Sequence, residues 1–145
     1  MVTLNKESIY LVQKVPSMPV TVNWDDPEKT IILITITTPM TWELYDEGID
    51  EARQLALSVP YRVDVISNPG SSEMPPGPSL PHLRRAYANF PDNISVIVAV
   101  ITNVFSRIMS LMTGQLYLGP RFRVVESVEA ARTMIHKSRV AAETK

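Results

Sequence analysis

The chain of 145 residues is 45% hydrophobic and 20% charged, with a formal net charge of −1. That length suffices for one domain with a sizeable core, and the charge balance offers no global field to draw in nucleic acid or an anionic membrane surface. Cysteine is absent, which excludes disulfides, thiolate metal sites and cysteine nucleophiles.

The N-terminal run "MVTLNKESIYLV" has no basic segment followed by a long apolar stretch, so it does not read as a signal peptide. "SIYLVQKV" (8–15) and "PVTVNWD" (19–25) each read as a strand, with a turn from Pro16 to Pro19 between them. An antiparallel N-terminal strand pair over 8–25 is therefore expected on the sheet. The region 31–138 should then supply strand–helix units, and 140–145 a frayed tail, all within a single domain.

Four segments rich in β-branched residues read as buried strands: "IILITIT" (31–37), "YRVDVIS" (61–67), "ISVIVAV" (94–100) and "RFRVVE" (121–126). Their starts are 27 to 33 residues apart, close to the length of one strand–helix unit, about 30 residues. The spacing predicts a mostly parallel four-stranded sheet with crossover helices, an α/β fold. Segments 31–36 and 94–101 are nearly all apolar, as expected where both faces are covered. "YRVDVIS" and the start of "RFRVVE" alternate instead, which predicts that part of one face is wet.

The first helix follows from Trp42, Tyr45, Ile49, Ala52, Ala56 and Val59, spaced by alternating threes and fours. Thr38 or Thr41 can cap it, Pro39 suits its first turn, and Val59-Pro60 ends it. The second helix carries Leu80, Leu83, Tyr87 and Phe90 and stops at Pro91. The third, from about Asn103 to Leu116, is apolar over much of its circumference, with Gly114 near its C-terminal end. A fourth begins at Ser127 as N-cap with Glu129 in its first turn, and buries Val128, Ala131 and Ile135.

No catalytic motif stands out. The histidines, His82 and His136, fall on different predicted helices with no second ligand at metal spacing. There is no Gly-x-Ser-x-Gly elbow, and "TTPMTW" follows the first parallel strand where a nucleotide-binding fold has its glycines. Glu43, Asp46, Glu47, Asp50 and Glu51 lie opposite the apolar stripe of the first helix and read as a solvated face. A receiver domain needs carboxylates where "ILITITT" ends in threonines. No cofactor or metal is expected. The longest apolar run, "ISVIVAVI" (94–101), falls far short of the about 20 residues that span a bilayer, so a cytoplasmic protein without a membrane span is expected.

The stretch "SNPGSSEMPPGPSLP" (67–81) leaves the C-terminal end of a strand and enters the second helix. Functional groups of open α/β sheets gather at that end of the strands. Ser79 is a candidate N-cap, Pro81 fits the first turn, and the prolines stiffen the loop. A helix N-terminus there could receive an anion or a phosphorylated hydroxyl; a solvated connector is the competing reading.

The order of an N-terminal strand pair followed by strand–helix units over 19–138, with a strand ending near Ser67 and a helix at "PPGPSLPHLRRA", resembles the STAS domain of anti-sigma-factor antagonists. In that family a serine at the start of the corresponding helix is phosphorylated, which switches binding to a kinase or anti-sigma partner. The usual Asp-Ser-Ser/Thr-Gly run is replaced here by "PPGPS". The resemblance implies a non-enzymatic regulatory protein acting through protein contacts. Its partner surface would include Ser71, Ser72, Ser79, His82, Arg84 and Arg85, and the third helix is a further candidate. A homodimer is compatible with this reading. The competing expectation is a carrier or sensor of a small apolar ligand, lined by the methionine-bearing third helix with Trp42, Tyr45 and Tyr87. A hydrolase of unusual type stands third.

Overall fold

The computed structural model describes residues 19–37, 39–70 and 77–143. In chain order they form β1 (Val20–Trp24), β2 (Ile31–Ile36), α1 (Trp42–Leu57), β3 (Val63–Gly70), α2 (Leu80–Ala88), β4 (Ile94–Ile101), α3 (Val104–Leu118), a 3-10 turn (Gly119–Arg121), β5 (Phe122–Val125) and α4 (Val128–Glu143). The five strands make one sheet in the order β1-β2-β3-β4-β5. β1 runs antiparallel to β2, and β2 through β5 are parallel.

The α/β class and the four parallel strands are as expected, but the described sheet has five strands. The expected strand 8–15 lies outside the described residues, and β1 finds its antiparallel partner in β2, with Val20 opposite Ile36 and Trp24 opposite Ile32. The β1–β2 turn is held by Asp26, whose carboxylate accepts from the backbone N–H of Thr30 (2.8 Å) and Ile31 (3.0 Å) and from the Thr30 hydroxyl.

Each new parallel strand is laid down beside the last in one direction, so crossovers of one hand place α1, α2 and α3 on the same face. Ile32, Ile34, Val63, Val65, Ile97 and Phe122 meet those helices in the larger core. α4 returns across the opposite face, where Ala131 and Ile135 cover Ile31, Ile66, Val96, Val98, Val100 and Val125. The second parallel strand, whose alternating pattern predicted a wet face, is buried on both: Val63 and Val65 on one side and Ile66 on the other. Its Asp64 is buried as well.

The inward position of Asp64 has a specific cause. Between the pairs Val63–Ile94 and Val65–Ile97, β4 holds one residue more than β3, a bulge. The bulged N–H of Val96 donates to Asp64 Oδ1 (3.0 Å), and Asp64 Oδ2 accepts from Nε of Arg139 on α4 (2.9 Å). Arg139 also donates to the carbonyl of Thr30 (3.0 Å). A second tie joins α4 to the β1–β2 turn, through Arg132 and the carboxylate of Asp25 (2.8 and 2.9 Å).

Helix ends follow the local sequence in most places. Thr41 caps α1 through Leu44 N–H, Asn103 caps α3 through Ser106 N–H, and Ser127 caps α4 through Ala130 N–H. Two expectations need correction. α3 ends at Gly119, with φ 67°, while Gly114 lies within the helix. A Cβ on Gly114 would stand 2.2 Å from the Phe122 ring, so glycine there permits close packing of α3 on β5. The stretch expected as a loop from Ser67 is strand as far as Gly70. Pro69 has no N–H for a ladder, and the β3–β4 register shifts between Ser67 and Gly70.

Candidate functional site

The C-terminal ends of β2, β3 and β4 form the floor of a cavity of about 310 Å³, roofed by α1, α2 and α3. Ser67 and Ala99 are partners across the β3–β4 pair, and both line the cavity. They are the small residues on strands whose other inward positions are Val63, Val65, Ile94 and Ile97, so the floor sinks where the layers above it cannot follow. Five bordering residues, Tyr45, Ser67, Tyr87, Ala99 and Phe122, also border a second space of about 40 Å³.

The walls are aromatic and thioether-bearing. Trp42 and Tyr45 come from α1, Tyr87 from α2, and Met109 from α3, with Met40 before α1. Trp42 meets Tyr45 edge to face, centroids 5.4 Å apart and planes at 86°. Tyr87 tilts against Phe122 at 5.8 Å. The polar residues that border it are Ser67, Ser79, Ser110, Thr113, Tyr45 and Tyr87. Burial, with the Tyr87 phenol and the Asp46 carboxylate adding to it, pushes the Tyr45 phenol well above its ordinary range; burial pushes Tyr87 up to about 12. A phenol is protonated at neutral pH even at its ordinary value of about 10, and the shift widens that margin. Trp42 is 9% exposed, and its Nε1 has no hydrogen-bond partner among the described residues.

Outside this wall lies a charged seam between α1 and α2. His82 stacks flat on Trp42, with centroids 4.7 Å apart, and its Nδ1 lies 3.1 Å from Asp46 Oδ2. Arg85 reaches the same carboxylate at 3.1 Å and Asp50 at 3.8 Å. Arg53 bridges Asp50 and donates to the carbonyl of Asn89 (2.9 Å). Asp46 and Asp50 thus face α2, which corrects the expectation of a purely solvated acidic face; Glu43, Glu47 and Glu51 are exposed.

The residues singled out in the sequence separate. Ser71 and Ser72 lie outside the described residues. Ser79 occupies the N-cap position of α2 but makes no side-chain cap bond, its backbone being helical (φ −87°, ψ −31°); its residue borders the cavity instead. His82 and Arg85 belong to the seam, and Arg84 is exposed. His136 is exposed on α4, beside the β1–β2 turn. Trp42, Tyr45 and Tyr87 do gather, as expected for a ligand site. Missed were Ser67 and Ala99, whose only signal is small size within bulky strands. Among the described residues no group of three or more His, Asp or Glu could hold a metal, and no helix is long and apolar enough to cross a membrane.

The fold and cavity define a mixed-sheet α/β domain with an uncharged apolar pocket at its strand ends. No family model, curated protein or solved structure matches the chain.

Proposed function

We propose that this chain is a non-enzymatic, STAS-like domain that carries or senses a small apolar ligand in the strand-end cavity. The observation that carries the reading is the walling of about 310 Å³ by Trp42, Tyr45, Tyr87 and Met109 over the Ser67–Ala99 floor. Small-molecule sites of about 300–1,000 Å³, mostly apolar with a few polar groups, have this character. The order of an antiparallel strand followed by strand–helix units supports the STAS-like description. Native mass spectrometry of freshly purified protein tests the function: an adduct is expected on the native chain and should be lost in Ala99→Leu, whose added carbons occupy the cavity. A native chain that carries no adduct and binds no apolar compound from a screen removes the reading.

A second reading, action through protein contacts, is favoured by one observation on α3. Val104, Ile108, Met112 and Leu116 recur every four residues, form one line, and are 53–77% exposed. Met109, Ser110 and Thr113 of the same helix border the cavity, so α3 presents one face to each use. Sedimentation of the native chain against Ile108→Glu tests whether that line mediates self-association; identical profiles at all concentrations count against a homodimer through it. Partner capture with and without 70–78 tests the loop in the same way.

A further inference from the structure

On the reading that the strand-end cavity holds a ligand, we infer that the occupant is an uncharged molecule bearing a hydrogen-bond acceptor, and that this acceptor takes the indole N–H of Trp42. Three observations converge. First, the described wall contains no Asp, Glu, Lys, Arg or His. An ionised group buried there would lose its hydration without gaining a counter-charge. The charges of the seam behind Trp42 are already matched, Arg85 pairing with both Asp46 and Asp50.

Second, the polar side chains that border the cavity carry hydroxyls, and a phenol, with an ordinary pKa of about 10, keeps its proton at neutral pH whether or not it is buried. The Tyr45 phenol can donate to a neutral oxygen. Third, the indole nitrogen can only donate, and on Trp42 it is buried without a partner among the described residues. Buried donors are normally satisfied. The ring is fixed by His82 across its face and by Tyr45 at an edge-to-face angle, so the donor cannot easily swing out to water. A carbonyl, ether or hydroxyl oxygen on the ligand meets that requirement; a pure hydrocarbon does not.

Three naphthalene probes separate these features: 2-acetylnaphthalene (neutral, with an acceptor), 2-ethylnaphthalene (neutral, without one) and 2-naphthoate (anionic). Calorimetric titration of the full chain should show the acetyl compound binding roughly fivefold to tenfold more tightly than the ethyl compound, with naphthoate weakest. The Trp42 indole N–H resonance, distinguished from that of Trp24 with Trp24→Phe, should move downfield with the acetyl compound and not with the ethyl one. Trp42→Phe should abolish the difference between the two neutral probes; if that variant fails to fold, the resonance in the native chain decides. Equal affinity of the two neutral probes without an indole shift, or tightest binding of naphthoate, overturns the inference and leaves the cavity a ligand site. Binding of none of the three overturns both.

Discussion

The Trp42 indole and the His82 imidazole lie 5° from parallel, which joins the first residue of α1 to the first turn of α2. His82→Ala removes this stack and the contact with Asp46 together. The expected cost is about 1 kcal/mol, the size of an aromatic pair, read as a lower urea midpoint at unchanged slope. Tryptophan emission should move to longer wavelength as water reaches the indole. His82→Phe, which keeps a ring over Trp42, should recover most of the loss.

Asp64 predicts a larger effect. It is 4% exposed and serves two elements, the β4 bulge and α4. Asp64→Ala strands the Val96 N–H and unpairs Arg139, and should cost about 3 kcal/mol. Arg139→Met should cost more than Asp64→Ala, because it leaves the buried Asp64 carboxylate without its counter-charge, whereas the arginine left by Asp64→Ala is 33% exposed. Chemical denaturation of both variants checks the ranking, and an equal or reversed order contradicts it.

Gly114 and Gly119 should respond to alanine for different reasons. At Gly114 the new methyl collides with the Phe122 ring, so Gly114→Ala should destabilise by about 2 kcal/mol despite the better helix propensity of alanine. At Gly119 nothing stands within 4 Å of a Cβ, but φ is 67°. The cost there is backbone strain alone, about 2 kcal/mol, because φ 67° with ψ −148° is a conformation essentially reserved for glycine. Trimming Phe122 to Leu should relieve the first variant and leave the second unchanged.

Asp26 gives a pH signature. Burial works against its ionised form, yet the hydrogen bonds from the Thr30 hydroxyl and N–H and from Ile31 N–H outweigh it and hold the carboxyl below its ordinary value of 3.8. A depressed folded-state value contributes stability that is fully present above the unfolded-state value and fades as pH falls through the folded one. The stability gap between the native chain and Asp26→Asn should therefore be constant near neutrality and shrink below about pH 4, as measured by denaturant titration at a series of pH values.

The parallel strands were legible in the sequence because continuous β-branched runs signal burial on both faces. Trp42, Tyr45 and Tyr87 were legible as wall residues because helical spacing puts them on inward stripes. The floor was not. Strict alternation along "ISVIVAVI" puts Ile94 and Ala99 on opposite faces, and only the extra residue of the β4 bulge brings them to the same one. The strand content of Ser67–Gly70 was hidden because proline and glycine read as punctuation. Asp46 and Asp50 read as solvated because the approach of α2 depends on tertiary packing, which periodicity on α1 does not encode.

The plain sequential order of the strands sets a timetable for assembly. Each strand from β2 onward can dock on its predecessor as soon as it leaves the ribosome, with no slot to be held open for a later arrival. α4 is the exception: Arg132 must find Asp25 across 107 positions of chain and Arg139 must find Thr30 across 109. Until α4 has emerged, Ile31, Ile66 and Val98 face water on that side, so this helix works as the closing latch of a sheet otherwise built in reading order.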